Sequence, residues 1–225
     1  MTALLKFAPE QQMTIEEFLA FTKTRPDDGR WEPIEGVPFM NAAPVDYHQV
    51  IVTNIASYLM QFKNRTNASW TPMLGIGTRV PISPNSLPQP DVFVKQGALT
   101  GTPDTDDALV IFEVLSRSIS PARLRQDSKR DQEWREQVYS SVPNCQHYVT
   151  VSLKTVDVCA FDRATDWQQR RLRDLAVGLE LAAIEVEMRG GGNLSLDPTR
   201  HAATSPEAQA LSVTRDQSIR HSHAR

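Results

Sequence analysis

The hydrophobic positions of the chain repeat with two periods, and the change from one to the other falls near residue 77. Before that point the spacing is helical. MTIEEFLAF predicts a short helix, since Thr14 and Glu17 have the spacing of a capping box. A longer helix capped by Asp46 is predicted next, with an apolar face formed by Val50, Ile51, Ile55, Tyr58, Leu59 and Phe62. Between the two, RWEPIEGVPFM predicts two short extended segments, which Pro33 and Pro38 direct toward a sheet edge.

After residue 77, short β-rich runs replace the helical pattern: GTRVPIS, PDVFV and ALVIFEVLS. The last is apolar enough for a central strand that is covered on both faces. A polar helix is predicted from Ser120-Pro121 to about Tyr139, with serine as N-cap and proline at the first helical position. HYVTVSL, TVDVCAFDR and WQQRRLRDL predict further strands, whereas LELAAIEVEM fits a helix or a strand. This order predicts a mixed α/β fold around one central sheet.

The length of 225 residues suits one well-buried domain, which the pattern places at residues 13–188. Residues 1–12 show no clear period, and residues 189–225 combine three glycines with few large apolar side chains. We therefore expect both termini to be disordered.

Composition narrows the class of protein. No apolar run is long enough to cross a bilayer, and the first residues lack the features of a signal peptide, so we expect a cytoplasmic protein with no membrane partner. The two cysteines, Cys145 and Cys159, suggest neither a disulfide framework nor a zinc site. A net charge of −3 argues against broad, non-specific binding to nucleic acid. This net charge does not exclude an enzyme that contacts DNA through bound metal ions and a local basic patch.

Two acids occupy unusual places in the β-rich half of the chain. Asp91 opens the run PDVFV, and Glu113 lies inside ALVIFEVLS. A carboxylate in such surroundings is paired with a cation, protonated, or bound to a hard metal ion such as Mg²⁺. Two carboxylates on adjacent strands have the chemistry of a magnesium site that stabilises charge on phosphorus. The alternative is structural: Asp91 caps a turn after Pro90, and Glu113 pairs with an arginine.

These motifs, in this order, resemble the Uma-two family, a group of proposed restriction endonucleases in the PD-(D/E)XK nuclease superfamily. PDVFV, FEVLSRS, an aspartate–basic–tyrosine spacing and HYVTV carry the resemblance, and MTIEEFLAF and WEPIEGVPFMNAAPVDYHQVIVTNI extend it over about residues 13–188. The resemblance implies a restriction-endonuclease-like sheet flanked by helices. It also implies that Asp91 and Glu113 bind Mg²⁺ or Mn²⁺ and that the substrate is DNA.

Two further residues receive roles from the resemblance alone. Glu32 matches an acid of the family's hairpin motif and would lie near the metal; without the resemblance it reads as a surface hairpin acid. His48 matches a histidine in the first turn of the second helix, where it would contact phosphate or a site carboxylate. A capping or packing role for His48 stays open.

The chain departs from the superfamily at the lysine position. Superfamily members usually carry lysine two residues after the second acid, and here Leu115 stands there. The Uma-two pattern places the lysine on the following helix, four residues after an aspartate; those positions hold Asp131 and Arg135. Arginine binds phosphate well but stays protonated and cannot act as a base. Without the resemblance, Asp131 and Arg135 form an ordinary i,i+4 pair on an exposed face.

The sequence thus predicts a Mg²⁺-dependent DNA endonuclease in which Asp91, Glu113 and Arg135 are catalytic and Glu32, His48 and Asp131 support binding. The alternative is a catalytically inactive nucleic-acid-binding or regulatory module that keeps the nuclease fold, which Leu115 and Arg135 favour. A homodimer is expected by analogy with restriction-like nucleases.

Overall fold

The computed structural model describes residues 12–25, 30–41, 43–115, 124–153, 155, 157–174 and 178–189, without the side chains of 124–131 and 189. The helices are α1 (Ile15–Thr22), α2 (Asp46–Thr66) and α3 (Leu124–Ser140). The strands are β1 (Arg30–Ile34), β2 (Val37–Asn41), β3 (Trp70–Met73), β4 (Gly77–Thr78), β5 (Val92–Gln96), β6 (Asp104–Thr105), β7 (Ala108–Leu115), β8 (His147–Ser152), β9 (Val158–Asp162), β10 (Gln169–Leu172), β11 (Gly178–Leu181) and β12 (Val186–Arg189).

A mixed six-stranded sheet organises the molecule, in the order β10-β9-β8-β7-β5-β3. Only β7 and β8 run parallel; the chain between them contains α3, which provides the crossover that parallel strands require. All other neighbours in this sheet are antiparallel. The expected α/β architecture with a central sheet and flanking helices is confirmed.

Alternation along β5 and β7 divides the core between the two faces of the sheet. Val92, Val110 and Phe112 belong to a cluster that includes Ile55 and Leu59 of α2. Phe93, Ile111 and Tyr148 belong to a second cluster, which includes Val138 and Tyr139 at the end of α3 and Val142 just after it. Because side chains alternate across a strand, Glu113 lies on the same face as Ile111, toward α3.

The hairpin β1–β2 forms a separate two-stranded sheet, although its prolines predicted an edge position. Pro33 and Pro38 face each other across it, where neither residue can donate a backbone hydrogen bond. Three backbone contacts fix the turn and its flank: Gly36 N–H to Asn85 O (2.9 Å), Met13 N–H to Gly36 O (2.8 Å) and Leu87 N–H to Pro33 O (2.9 Å). These contacts position β1, and with it Glu32.

Most sequence-predicted elements are present, with differences at their ends. Thr14 caps α1 through the expected capping box, since its hydroxyl accepts from Glu17 N–H and Glu17 Oε2 accepts from Thr14 N–H. Val45 is the N-cap of α2, so Asp46 lies inside the first turn rather than before it. GTRVPIS forms a strand only at Gly77–Thr78, because the chain turns after Val80. LELAAIEVEM resolves into β11 and β12 joined by a 3₁₀ turn.

Some predictions fall outside the described residues. These are the disorder of residues 1–11 and 190–225 and the start of the third helix at Ser120-Pro121. Among the helices that the structure describes, none has the length and hydrophobicity needed to span a bilayer.

Candidate active site

Asp91 and Glu113 are neighbours at one end of the strand pair β5–β7. Val92 pairs with Phe112, so the residue before Val92 lies beside the residue after Phe112. Both acids are 8% exposed. The backbone N–H of Val114 donates to Asp91 Oδ2 at 2.8 Å, which ties the two strand ends together. The sequence expectation that two buried carboxylates meet here is therefore met in the geometry.

Asp91 is held as an anion by three groups. Besides Val114 N–H, its Oδ2 lies 3.2 Å from His48 Nε2, and its Oδ1 lies 3.5 Å from Arg30 Nη1. Burial raises the pKa of Asp91, but the hydrogen bonds and charges of these partners outweigh burial and bring the pKa below its ordinary value. His48 is thus a neighbour of the site carboxylate, one of the two roles predicted for it.

Glu113 has partners on one oxygen only. Its Oε1 accepts from Arg135 Nη1 at 2.9 Å and from the Tyr139 hydroxyl at 2.8 Å. Within the described residues, no hydrogen bond reaches Oε2. The pKa of Glu113 is raised to about 8. Burial is the largest cause; Arg135 opposes it, and the negative charges of Asp91 and Glu32 add to it. Glu113 therefore holds a proton more readily than an ordinary glutamate does.

Arg135 connects Glu113 to Glu32. Its Nη2 donates to Glu32 Oε1 at 2.8 Å while its Nη1 contacts Glu113, so one guanidinium bridges two carboxylates. Glu32 is 3% exposed and also accepts from Asn41 Nδ2 (3.0 Å) and the N–H of Gln89 (3.0 Å). Burial raises the pKa of Glu32, but Arg135 and these hydrogen bonds lower it below its ordinary value. Its burial excludes the alternative of a surface hairpin acid, while its predicted place near a metal stays a prediction.

Among the contacts of the described residues, Asp91 Oδ1 has only the distant contact with Arg30, and none is made by Glu113 Oε2, so these two oxygens are the candidate ligands of a cation. Carboxylate oxygens are the ligands that Mg²⁺ prefers, and Mg²⁺ commonly uses only one or two of them, with water and substrate phosphate at the other positions. The donor set therefore fits Mg²⁺ or Mn²⁺. In the described part of the chain, no three His, Cys, Asp or Glu side chains are placed to hold an ion together, so Glu32 does not join such a group.

Three contributing residues were not predicted from the sequence. Tyr139 lies four residues after Arg135 and hence on the same face of α3. Arg30 lies two residues before Glu32, on the same face of β1. Asn41 pairs with Arg30 across the hairpin. Helical and strand spacing would have indicated the first two, whereas the third required the hairpin register.

The two positions that break the superfamily pattern lie close to these acids. Leu115 follows Glu113 by two residues and so lies on the same face of β7, where it is partly buried. Arg135 supplies the positive charge from α3 instead. Asp131 lies within α3, but its side chain is outside the described part, so its predicted role stays a prediction.

Cys145 and His147 do not form a nucleophilic pair. Cys145 Sγ contacts the backbone oxygen of His147 at 3.5 Å, and burial raises the thiol pKa to about 12. His147 Nδ1 binds Asp162 at 2.6 Å, while its Nε2 accepts from the N–H of Ala183 at 3.2 Å. This histidine fastens the β11–β12 hairpin to the sheet.

Comparisons with known proteins bear on the fold and the family of the chain. Among solved structures, the fold is similar to that of "a putative nuclease belonging to DUF820" from Anabaena variabilis, with a TM-score of 0.61 and 13% identity over 82% of this chain and 98% of that chain. No curated protein matches the sequence. The model of the Uma2 family, described as "Putative restriction endonuclease", matches residues 15–190. That match covers most of the chain, and the protein therefore belongs to the Uma2 family.

Proposed function

We propose that the protein is a metal-dependent endonuclease that hydrolyses phosphodiester bonds in DNA. The observation that carries the proposal is the pair Asp91 and Glu113, buried side by side at one end of β5 and β7. Among the described residues, Asp91 Oδ1 has only a 3.5 Å contact with Arg30, and no donor reaches Glu113 Oε2. The family description and the nuclease-like fold support the reaction class. Mg²⁺ or Mn²⁺ is the proposed cofactor, and the carboxylates of Asp91 and Glu113 would hold it.

Each neighbouring residue has a role in this proposal. His48 and the N–H of Val114 fix the orientation of Asp91, and Tyr139 fixes Glu113 through the other oxygen of that carboxylate. Arg135 presents a planar fork of donors that matches a phosphate group, so it steadies the scissile phosphate. Glu32 acts through Arg135, since it anchors the same guanidinium.

Asp91 and Glu113 would hold a divalent ion, which would supply Lewis-acid stabilisation of the charge that develops on the phosphoryl oxygens. The chain itself supplies burial, which strengthens that electrostatic interaction, and a fixed orientation of both carboxylates. None of Arg135, Tyr139 and Arg30 can accept a proton readily at neutral pH, because arginine stays protonated and burial raises the pKa of Tyr139 well above its ordinary value. The proton acceptor is therefore not one of these three.

Cleavage of supercoiled plasmid DNA tests the proposal. The parent protein should nick or linearise plasmid in Mg²⁺ or Mn²⁺, and Glu113→Gln should lower the rate by at least about a hundredfold, as loss of a group that stabilises the transition state does. Arg171→Gln is the matched control, since Arg171 pairs with Asp157 on the exposed edge strand β10. Equal cleavage by the parent and Glu113→Gln would contradict the assignment of Glu113.

The second candidate is a catalytically inactive module that keeps the nuclease fold and binds nucleic acid or regulates a partner. The bridge from Arg135 to Glu32 and Glu113 favours it, because an internal cation already neutralises part of the site. Arg135→Lys restores the family's lysine and separates the two candidates. Plasmid cleavage by the parent excludes the inactive module, whereas cleavage by Arg135→Lys alone supports it.

A further inference from the structure

We propose that Arg135 is a built-in competitor for the metal site: its guanidinium and a divalent cation are alternative partners of Glu113, and metal binding releases Arg135 toward substrate phosphate. This inference rests on the proposed function, because it assumes that Asp91 and Glu113 hold the ion. In the metal-free protein, Arg135 neutralises part of the negative charge of the site. The same side chain then has two successive partners, first carboxylates and then phosphate.

The contacts of Arg135 place its charge on the carboxylates rather than toward an open phosphate position. Nη1 lies 2.9 Å from Glu113 Oε1 and Nη2 lies 2.8 Å from Glu32 Oε1. Nη1 also lies 3.2 Å from the hydroxyl of Tyr139. Both terminal nitrogens of the guanidinium are therefore engaged within the site, and the side chain is only 15% exposed. A phosphate can gain the bidentate fork of Arg135 only if these contacts loosen.

Electrostatics makes the two cations compete. The arginine charge and a metal ion at Glu113 Oε2 would be separated by little more than the width of one carboxylate group. Repulsion between a divalent ion and a unit charge at such a distance in a buried site amounts to several kcal/mol at an effective dielectric constant of ~20. The ion is thus bound weakly while Arg135 stays on Glu113, and more tightly once Arg135 has moved.

Substrate phosphate relieves this repulsion, because it offers Arg135 a second anionic partner. Metal and nucleic acid should then bind with positive coupling, each tightening the other by the same factor. Glu32 sets the strength of the restraint, since it accepts from Nη2 and is itself fixed by donors from the Asn41 side chain and the Gln89 backbone. The contacts of Arg135 with Glu32 and Glu113 would thus limit metal binding in the absence of substrate.

Calorimetric titration of the full chain with Mn²⁺, without nucleic acid, tests the competition. Arg135→Gln removes the charge, keeps a polar side chain at this position, and should bind Mn²⁺ at least about tenfold more tightly than the parent. Arg135→Lys keeps the charge and should bind within a few-fold of the parent. Arg79→Gln, which removes an exposed partner of Asp104, is the remote control and should leave the affinity unchanged.

The outcomes separate this inference from the proposed function. Equal or weaker Mn²⁺ binding by Arg135→Gln than by the parent overturns the competition while leaving the metal site intact. Absence of Mn²⁺ binding in both proteins, with both folded by circular dichroism, overturns the proposed site as well.

A measurement on the parent protein avoids any effect of substitution on folding. Phenylglyoxal modifies accessible arginines, and peptide mass spectrometry reports the rate at each one. Saturating Mg²⁺ should increase modification of Arg135 several-fold, since the metal frees it from Glu113. Arg163 is the internal control, because it donates to the backbone oxygens of Ser140, Val142 and Cys145. An unchanged or slower rate at Arg135 contradicts the proposal.

Discussion

Glu113 depends on two donors that reach the same oxygen from one helical face. Arg135 and Tyr139 are four residues apart on α3, and both contact Oε1, while Tyr139 Oη also accepts from Arg135. Burial of a carboxylate is costly unless such partners are present. The cation beside Glu113 in ALVIFEVLS is therefore Arg135, from the helix that follows this strand. A metal ion is the proposed second partner.

Tyr139→Phe tests the contribution of the phenol. Removing the hydroxyl takes one of two donors from a buried carboxylate, and the free energy of unfolding should fall by about 1–3 kcal/mol. Urea denaturation measures this loss. Tyr58→Phe is the matched control, because the Tyr58 hydroxyl donates to Glu187 O at an exposed position and should contribute less. Equal losses for the two variants would contradict a special role for the buried contact.

At the residue scale, the sequence predicted the acids better than their partners. Asp91 and Glu113 stand out because a charge inside an apolar run is rare. Their arrangement could be inferred from two neighbouring strands. Arg30 and Tyr139 are ordinary residues in sequence, and only folding brings Arg30 within 3.5 Å of Asp91. The distance between a helix residue and a strand residue depends on packing, which local periodicity does not encode.

The hairpin β1–β2 is the element that delivers Glu32 to the site. Its turn has positive φ at Glu35 (50°) and Gly36 (77°), the twist that a two-residue hairpin turn requires. A Cβ at Gly36 would lie 2.8 Å from Gln12 Cβ and 3.0 Å from Met13 O. Gly36 is therefore required both by its backbone conformation and by the close approach of the segment before α1.

Gly36→Ala should destabilise this hairpin through both causes. The left-handed conformation costs about 1–2 kcal/mol for a residue with a Cβ, and the contacts with Gln12 and Met13 add to it. Gly75→Ala is the matched control, because Gly75 has a φ of 66° with no atom within 4 Å of an added Cβ. Thermal denaturation should show a larger fall in Tm for Gly36→Ala. A similar fall for both variants would show that the close approach is unimportant.

At the scale of helices and strands, the elements with strong hydrophobic periodicity were predicted best, and the turns between them were predicted worst. The face of α2 that carries Ile51, Ile55 and Leu59 is buried, in agreement with its helical spacing. LELAAIEVEM could not be resolved from sequence, because a 3₁₀ turn at Ala182–Ile184 interrupts the alternation of β11 and β12. Glu185 there has φ of 56°, a conformation that its residue type does not indicate.

At the scale of the whole molecule, the six-stranded sheet carries a hydrophobic core on each face. The α2 face continues into the β11–β12 hairpin, whose Leu181, Val186 and Met188 are fully buried or nearly so. The two strands joined by the parallel crossover, β7 and β8, lie at the centre, and the site lies at the end of β7. Fold and site are therefore built from the same strands.

A chain covering residues 12–189 should contain everything that folding requires. Among the residues that the structure describes, the members of the two core clusters run from Ile51 to Met188. We expect the free energy of unfolding of this truncated chain to equal that of the full chain within about 0.5 kcal/mol, the scatter usual for changes away from the core. Urea denaturation of both proteins measures the difference. A loss of several kcal/mol would show that residues outside 12–189 take part in the core.

The central claim is that Asp91 and Glu113 together hold a divalent cation, and metal titration calorimetry tests it most directly. The parent protein should bind one Mn²⁺ ion, and Asp91→Asn and Glu113→Gln should each abolish detectable binding while circular dichroism remains unchanged. Both substitutions keep the shape of the side chain and remove a charged ligand oxygen. Undiminished Mn²⁺ binding in either variant, or no binding by the folded parent protein, would contradict the claim.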